Sequence, residues 1–94
     1  MDLSKISGLG PYETQPEKDR TLYLKDGKAF FVERPHTFEI RTDQKLGKLL
    51  REKYESIMES RYFGKAGIEI VPSGQLTEDE LIDLIRLSYN LTSS

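Results

Sequence analysis

From Thr21 onward, apolar and polar positions alternate with period two through TLYLK, pause at Asp26-Gly27, and resume through KAFFVE. Alternation of this kind marks half-buried strands, and Asp-Gly supplies the positive φ angles of a two-residue type I′ turn. A β-hairpin is therefore predicted. A turn of that length sets Lys25 opposite Lys28, Leu24 opposite Ala29, Tyr23 opposite Phe30, Leu22 opposite Phe31 and Thr21 opposite Val32. On that register Leu22, Leu24, Ala29 and Phe31 form the core face, and Thr21, Tyr23, Lys25, Lys28, Phe30 and Val32 the other. Arg34-Pro35 interrupts the ladder, after which Phe38 and Ile40 alternate with Thr37, Glu39 and Arg41 in a third strand.

The period then lengthens. Thr42 is the predicted N-cap and Asp43 a first-turn acid of a helix of about 14 residues, running through Tyr54 to Ile57. Leu46, Leu49, Leu50, Tyr54 and Ile57 make its apolar stripe, and Lys45, Lys48, Arg51, Glu52 and Glu55 its solvated face. Residues 58–66 read as a loop. GIEIV reads as another strand, closed by Pro72-Ser73-Gly74. In the last segment, Thr77 and Glu80 form a capping box in front of an apolar series from Leu81 to Leu91. That series spans an arc of more than about 200°, wider than one sheet surface covers, so the surplus is either buried by the first helix or offered to another chain.

Residues 1–20 hold helix-spaced Leu3, Ile6 and Leu9 but are broken by Gly8, Gly10, Pro11 and Pro16. They are expected to be an arm, partly disordered or with one short helix, ahead of a single domain over 21–94. The predicted fold class is α+β, with an antiparallel sheet of about four strands in the order β-β-β-α-β-α packed against two helices.

Composition narrows the function. The 94 residues include no cysteine, which removes disulfides, thiolate metal sites and thiol nucleophiles and suits a reducing, cytoplasmic setting. No apolar run has the length of a membrane span. The formal charge of −2 is uneven: −1 over residues 1–20, +1 over 21–41, +2 over 42–66 and −4 over 67–94. A general nucleic-acid binder carries a strong positive field, so any such binding here is local and weak.

Three candidate surfaces emerge. On the second hairpin face, Tyr23 and Phe30 between Lys25 and Lys28 match the aromatic-plus-cation chemistry of a single-strand platform, which Arg41, Lys45 and Lys48 would extend. The rival reading covers those rings with the arm or the last helix. An interaction or homodimer surface would instead use Leu84, Leu87 and Leu91. The acids Glu78, Asp79, Glu80 and Asp83 suggest a weak cation site, although capping and dipole compensation account for them without metal. The lone His36 has no companion ligands or triad partners, and no glycine motif forms a phosphate cradle. Neither a cofactor nor a catalytic residue is predicted, and an enzyme is not expected.

The hairpin LKDGKAFFV, the strand FEIR with the helix KLGKLLREKY, the strand GIEIV and the closing LTEDELIDLIRLSYNLT together resemble the MmcQ/YjbR family, also called double-wing DNA-binding. Its fold is related to bacterial frataxin CyaY. The resemblance covers about three quarters of the chain, and DELIDLIRLSYNL, with its Ser88-Tyr89 pair, is its most specific part. It implies a CyaY-like fold and a DNA-binding role for a non-catalytic module; the protein-interaction or homodimer surface on the last helix is the alternative to that role, and a frataxin-like metal role a weaker one. Family members typically begin with a full helix and place a tryptophan where this chain has Gly67-Ile68.

Overall fold

The computed structural model describes residues 3–92. A 3-10 turn at Leu3–Lys5 leads into strands β1 (Glu13–Pro16), β2 (Thr21–Lys25), β3 (Lys28–Glu33) and β4 (Phe38–Arg41). Helix α1 (Gln44–Lys53), strands β5 (Ile57–Ser60) and β6 (Gly64–Ile70), and helix α2 (Glu78–Leu91) follow. The strands form one antiparallel sheet in the order β1-β2-β3-β4-β6-β5, six strands where about four were expected. The α+β class stands. Both added strands lie at sheet edges, in segments whose residues lack clean alternation: β1 is exposed throughout, and β5 buries only Ile57 and Ser60.

Residues 3–20 pack onto the sheet. Leu3 is fully buried, Ile6, Leu9 and Tyr12 pack against the core, and β1 pairs with β2. Helix α1 is shorter than expected because the chain extends at Tyr54 and Ile57 joins β5 opposite Ile70. Its N-cap is Asp43, whose carboxylate accepts from the Leu46 amide at 2.7 Å. Thr42 is still held by the sheet, its amide donating to Ala66 O at 2.8 Å. The capping box of α2 forms as expected, Thr77 and Glu80 each bonding the other's backbone amide.

The hairpin turn is also as expected, with Asp26 and Gly27 at φ 51° and 81°. Its register differs. Lys25 pairs with Lys28 and Leu24 with Ala29, but Tyr23 then pairs with Phe31, Leu22 with Val32 and Thr21 with Glu33. Phe30 is the extra residue of a β-bulge. A bulge turns two consecutive side chains to one side of the sheet, so Phe30 and Phe31 both face the helices. Phe30 lies edge-on to Tyr89 of α2 at 5.0 Å, and Phe31 packs on Tyr23 and Phe38 at 5.2 and 5.6 Å. The predicted core face is thereby exchanged except at Phe31: Tyr23, Phe30 and Phe31 join Ile40, Ile57, Ile68 and Ile70 of the sheet and Ile85 and Tyr89 of α2 in the core between sheet and helices, while Leu22, Leu24, Ala29 and Val32 turn to the opposite face.

The bulge leaves backbone groups that the ladder cannot satisfy. Ser88 of α2, fully buried, donates to Phe30 O at 2.5 Å and accepts from the Arg41 amide at 2.8 Å, stitching β3, β4 and α2 together. Tyr89 carries the neighbouring contacts, its hydroxyl donating to Pro11 O at 2.8 Å. The Ser88-Tyr89 pair thus has a structural duty.

Candidate anion-binding surface

The predicted hairpin platform is not assembled. Tyr23 is 7% exposed and Phe30 is fully buried, so neither ring can stack on a base. The Tyr23 hydroxyl donates to Glu33 at 2.9 Å. Lys25 reaches across to the C-terminal end of α2, where its ammonium donates to Tyr89 O at 3.0 Å and lies 4.3 Å from the Tyr89 ring centroid. A cation there satisfies a terminal carbonyl and complements the helix dipole. Lys28 remains exposed at the turn. Arg41, half-buried, donates to Ala29 O at 3.0 Å and stacks over Phe63 at 4.9 Å, which also removes it from a shared binding surface.

Lys45 and Lys48 have a different fate. Both are exposed on α1, and they line one depression with Gln44, Arg51 and Lys65. Four cations meet there with no carboxylate in the lining. Gln44, Lys48 and Arg51 follow helical spacing along one stripe of α1. Lys65 comes from the start of β6, brought alongside by the bond from Thr42 N to Ala66 O. Arg51 Nη1 points toward Gly67 O at 3.4 Å, passing over Gly47, where a Cβ would lie 3.1 Å from Nη1 and 2.8 Å from Thr42 Oγ1. Glycine at 47 is what lets both side chains close on the helix backbone. The helical stripe was readable in the sequence; the contribution of Lys65 was not, because it depends on β6 lying beside α1.

The sheet face opposite the helices carries a polar network that sequence reasoning missed. Glu39 and Glu69 face each other across β4 and β6, 0% and 3% exposed. Glu39 accepts from Arg34, from Ser60 Oγ at 2.7 Å and from the Tyr62 amide at 2.9 Å. Glu69 accepts two bonds from Arg61, at 3.0 and 2.6 Å, and one from Thr37 at 2.8 Å. The Arg61 hydrogen bonds, with help from Thr37, hold the Glu69 carboxyl below the usual carboxylate range against the opposing effect of burial. Together these bonds fold residues 61–63 over the sheet. Phe63 covers Gly67, where any Cβ would come within 2.5 Å of Phe63 Cβ and 2.6 Å of Ile40 O. With every oxygen of both carboxylates engaged, this network is a fastening and offers no open ligand site.

The alternative surface is partly present. Leu84 is half-buried in a groove shared with Leu46, Leu50, Tyr54 and Leu76, while Leu87 and Leu91 remain 36% and 40% exposed. The C-terminal acids do not gather as a metal site: Glu80 closes the capping box, Asp83 pairs with Arg86 at 3.0 Å, and no group of three or more metal-type ligands occurs among the described residues. Nor is any helix among them long and apolar enough to cross a membrane.

No family model matches this chain, and no curated protein does. Among solved structures, the fold is similar to the crystal structure of the Deinococcus radiodurans protein DR2400, whose family-model domain is DUF419. The TM-score is 0.79 at 19% identity, covering 95% of this chain and 73% of that one. The chain therefore has a DUF419-like α+β fold. DUF419 is related to the MmcQ/YjbR family, so the likeness agrees with the resemblance at the level of fold.

Proposed function

We propose that this domain is a non-catalytic, cytoplasmic MmcQ/YjbR-like module that binds DNA through the depression at the start of α1. The observation that carries the reading is the convergence of Lys45, Lys48, Arg51 and Lys65 with no acid in the lining. Clustered cations gain affinity for phosphate by releasing condensed counterions, and four suffice for weak, salt-sensitive binding. The fold likeness supports the reading only as far as shape. The hairpin tip, whose aromatic rings are in the core, has no part in it.

Fluorescence anisotropy with a labelled oligonucleotide at about 20 mM salt, where electrostatic binding is strongest, is the test. Wild type should bind, and Lys45→Glu/Lys48→Glu should not. Absence of wild-type binding, or full binding by the variant, would reject the reading.

A second reading is favoured by Leu87, which lines the groove between α1 and α2 and is exposed, and by Leu91, exposed one turn further along α2. A protein-interaction or homodimer module would use that edge. Light scattering across concentration tests the homodimer: a mass that rises with concentration and falls back in Leu87→Ser supports it, and a constant monomer mass rejects it.

A further inference from the structure

We infer that the depression reads the phosphate backbone of duplex DNA without regard to base sequence, an inference that rests on the DNA-binding reading above. The first support is what the depression lacks. Its lining is Gln44, Lys45, Lys48, Arg51 and Lys65, with no aromatic ring. Single-strand binders draw much of their affinity from bases stacked on exposed rings. Here Tyr23, Phe30 and Tyr89 are buried in the core between the sheet and the helices. Tyr62, 39% exposed, belongs to the turn over the opposite sheet face, with Arg20 5.1 Å from its ring. A cluster of cations alone gains most where phosphates are densest, and a duplex carries about one charge per 1.7 Å, twice the density of a single strand.

The second support is the posture of the groups that could read bases. Arginine recognises guanine by presenting its planar fork to the base edge. Arg51 is instead laid across Gly47 with Nη1 toward Gly67 O. That contact holds one guanidinium nitrogen against the backbone, so the group lies along the helix and is not extended as a free fork. Gln44, the first residue of α1, is the one remaining amide in the lining, and a single amide on a ten-residue helix packed against a sheet does not make a sequence code. The lining holds four cations, so the phosphate contacts number about four. A duplex should then give a slope of log affinity against log salt of about −3.6, and a single strand about −2.8.

The experiment is anisotropy of the full chain across about 20 to 200 mM KCl, the range over which counterion release is resolved. The probes are a 20-base-pair duplex, a scrambled duplex of equal composition, and one of the constituent strands. The two duplexes should agree within about twofold, the duplex slope should fall between about −3 and −4, and the single strand should bind about tenfold more weakly; Arg51→Ala should reduce the slope by about one. Single-strand binding equal to or tighter than duplex binding, or an affinity change beyond about tenfold on scrambling, would overturn the inference while leaving DNA binding intact. No binding by any probe rejects both readings. Binding indifferent to Lys45→Gln/Lys48→Gln moves the site elsewhere and rejects both as well.

Discussion

Two pairs of lysines, Lys25/Lys28 at the hairpin tip and Lys45/Lys48 on α1, carry the same charge in the sequence and have different duties in the fold. At the tip, Lys25 is bound to Tyr89 of α2, and the flanking Tyr23 and Phe30 rings are core. On α1 the lysines stay exposed and gain Arg51 and Lys65 as neighbours. What separates the pairs is one extra residue in β3. Without the bulge at Phe30, that ring would share a face with Val32 instead of with Phe31. The lesson is that a patch of aromatics and cations is only as informative as the register that places it.

The contrast can be broken most forcefully at Phe30. If its ring is core, Phe30→Ala should cost about 3–5 kcal/mol in urea denaturation, as large buried aromatics do; a loss under about 1 kcal/mol would return the ring to the surface. Ser88→Ala comes next. It strips a buried carbonyl at Phe30 and a buried amide at Arg41 of their partner, and about 2 kcal/mol should be lost. Lys25→Gln should cost about 1 kcal/mol through the lost helix-end and ring contacts, whereas Lys45→Gln should stay within about 0.5 kcal/mol. Equal costs at the two lysines would erase the distinction.

Acid supplies a final contrast, in which neither lysine pair takes part. Glu69 is held below the usual carboxylate range, first by its hydrogen bonds from Arg61. A group whose folded pKa is depressed contributes stability above its unfolded value, about 4.3 for glutamate, and loses it as pH falls through the lower folded value. The urea midpoint should therefore drop below about pH 4, with a shallower drop in Arg61→Ala. An unchanged acid limb in that variant would count against the Arg61–Glu69 pair as its source.

Much of the fold was legible. The I′ turn, the third strand, both helices and the capping box follow from local chemistry that acts within a few residues. What was hidden depends on distant partners. β1 and β5 are edge strands whose pairing comes from β2 and β6, not from their own alternation. The bulge follows from α2, which offers Ser88 to the freed Phe30 carbonyl from 58 positions along the chain. The N-cap fell one residue later than expected because Thr42 is tied to Ala66 across the sheet. For the candidate site, Lys45 and Lys48 could be named from helical spacing, but Lys65 could not, and Arg41 was misplaced because its contacts to Ala29 and Phe63 are tertiary.

The central claim is that the positive surface lies on α1 and not at the hairpin. It is tested most directly by measuring duplex affinity at about 50 mM salt for two charge-matched variants, Lys25→Gln/Lys28→Gln and Lys45→Gln/Lys48→Gln, at a temperature where circular dichroism shows both to be folded. The account predicts that the first binds within about threefold of wild type and the second loses at least about tenfold. The reverse order, or an equal loss in both, would contradict it.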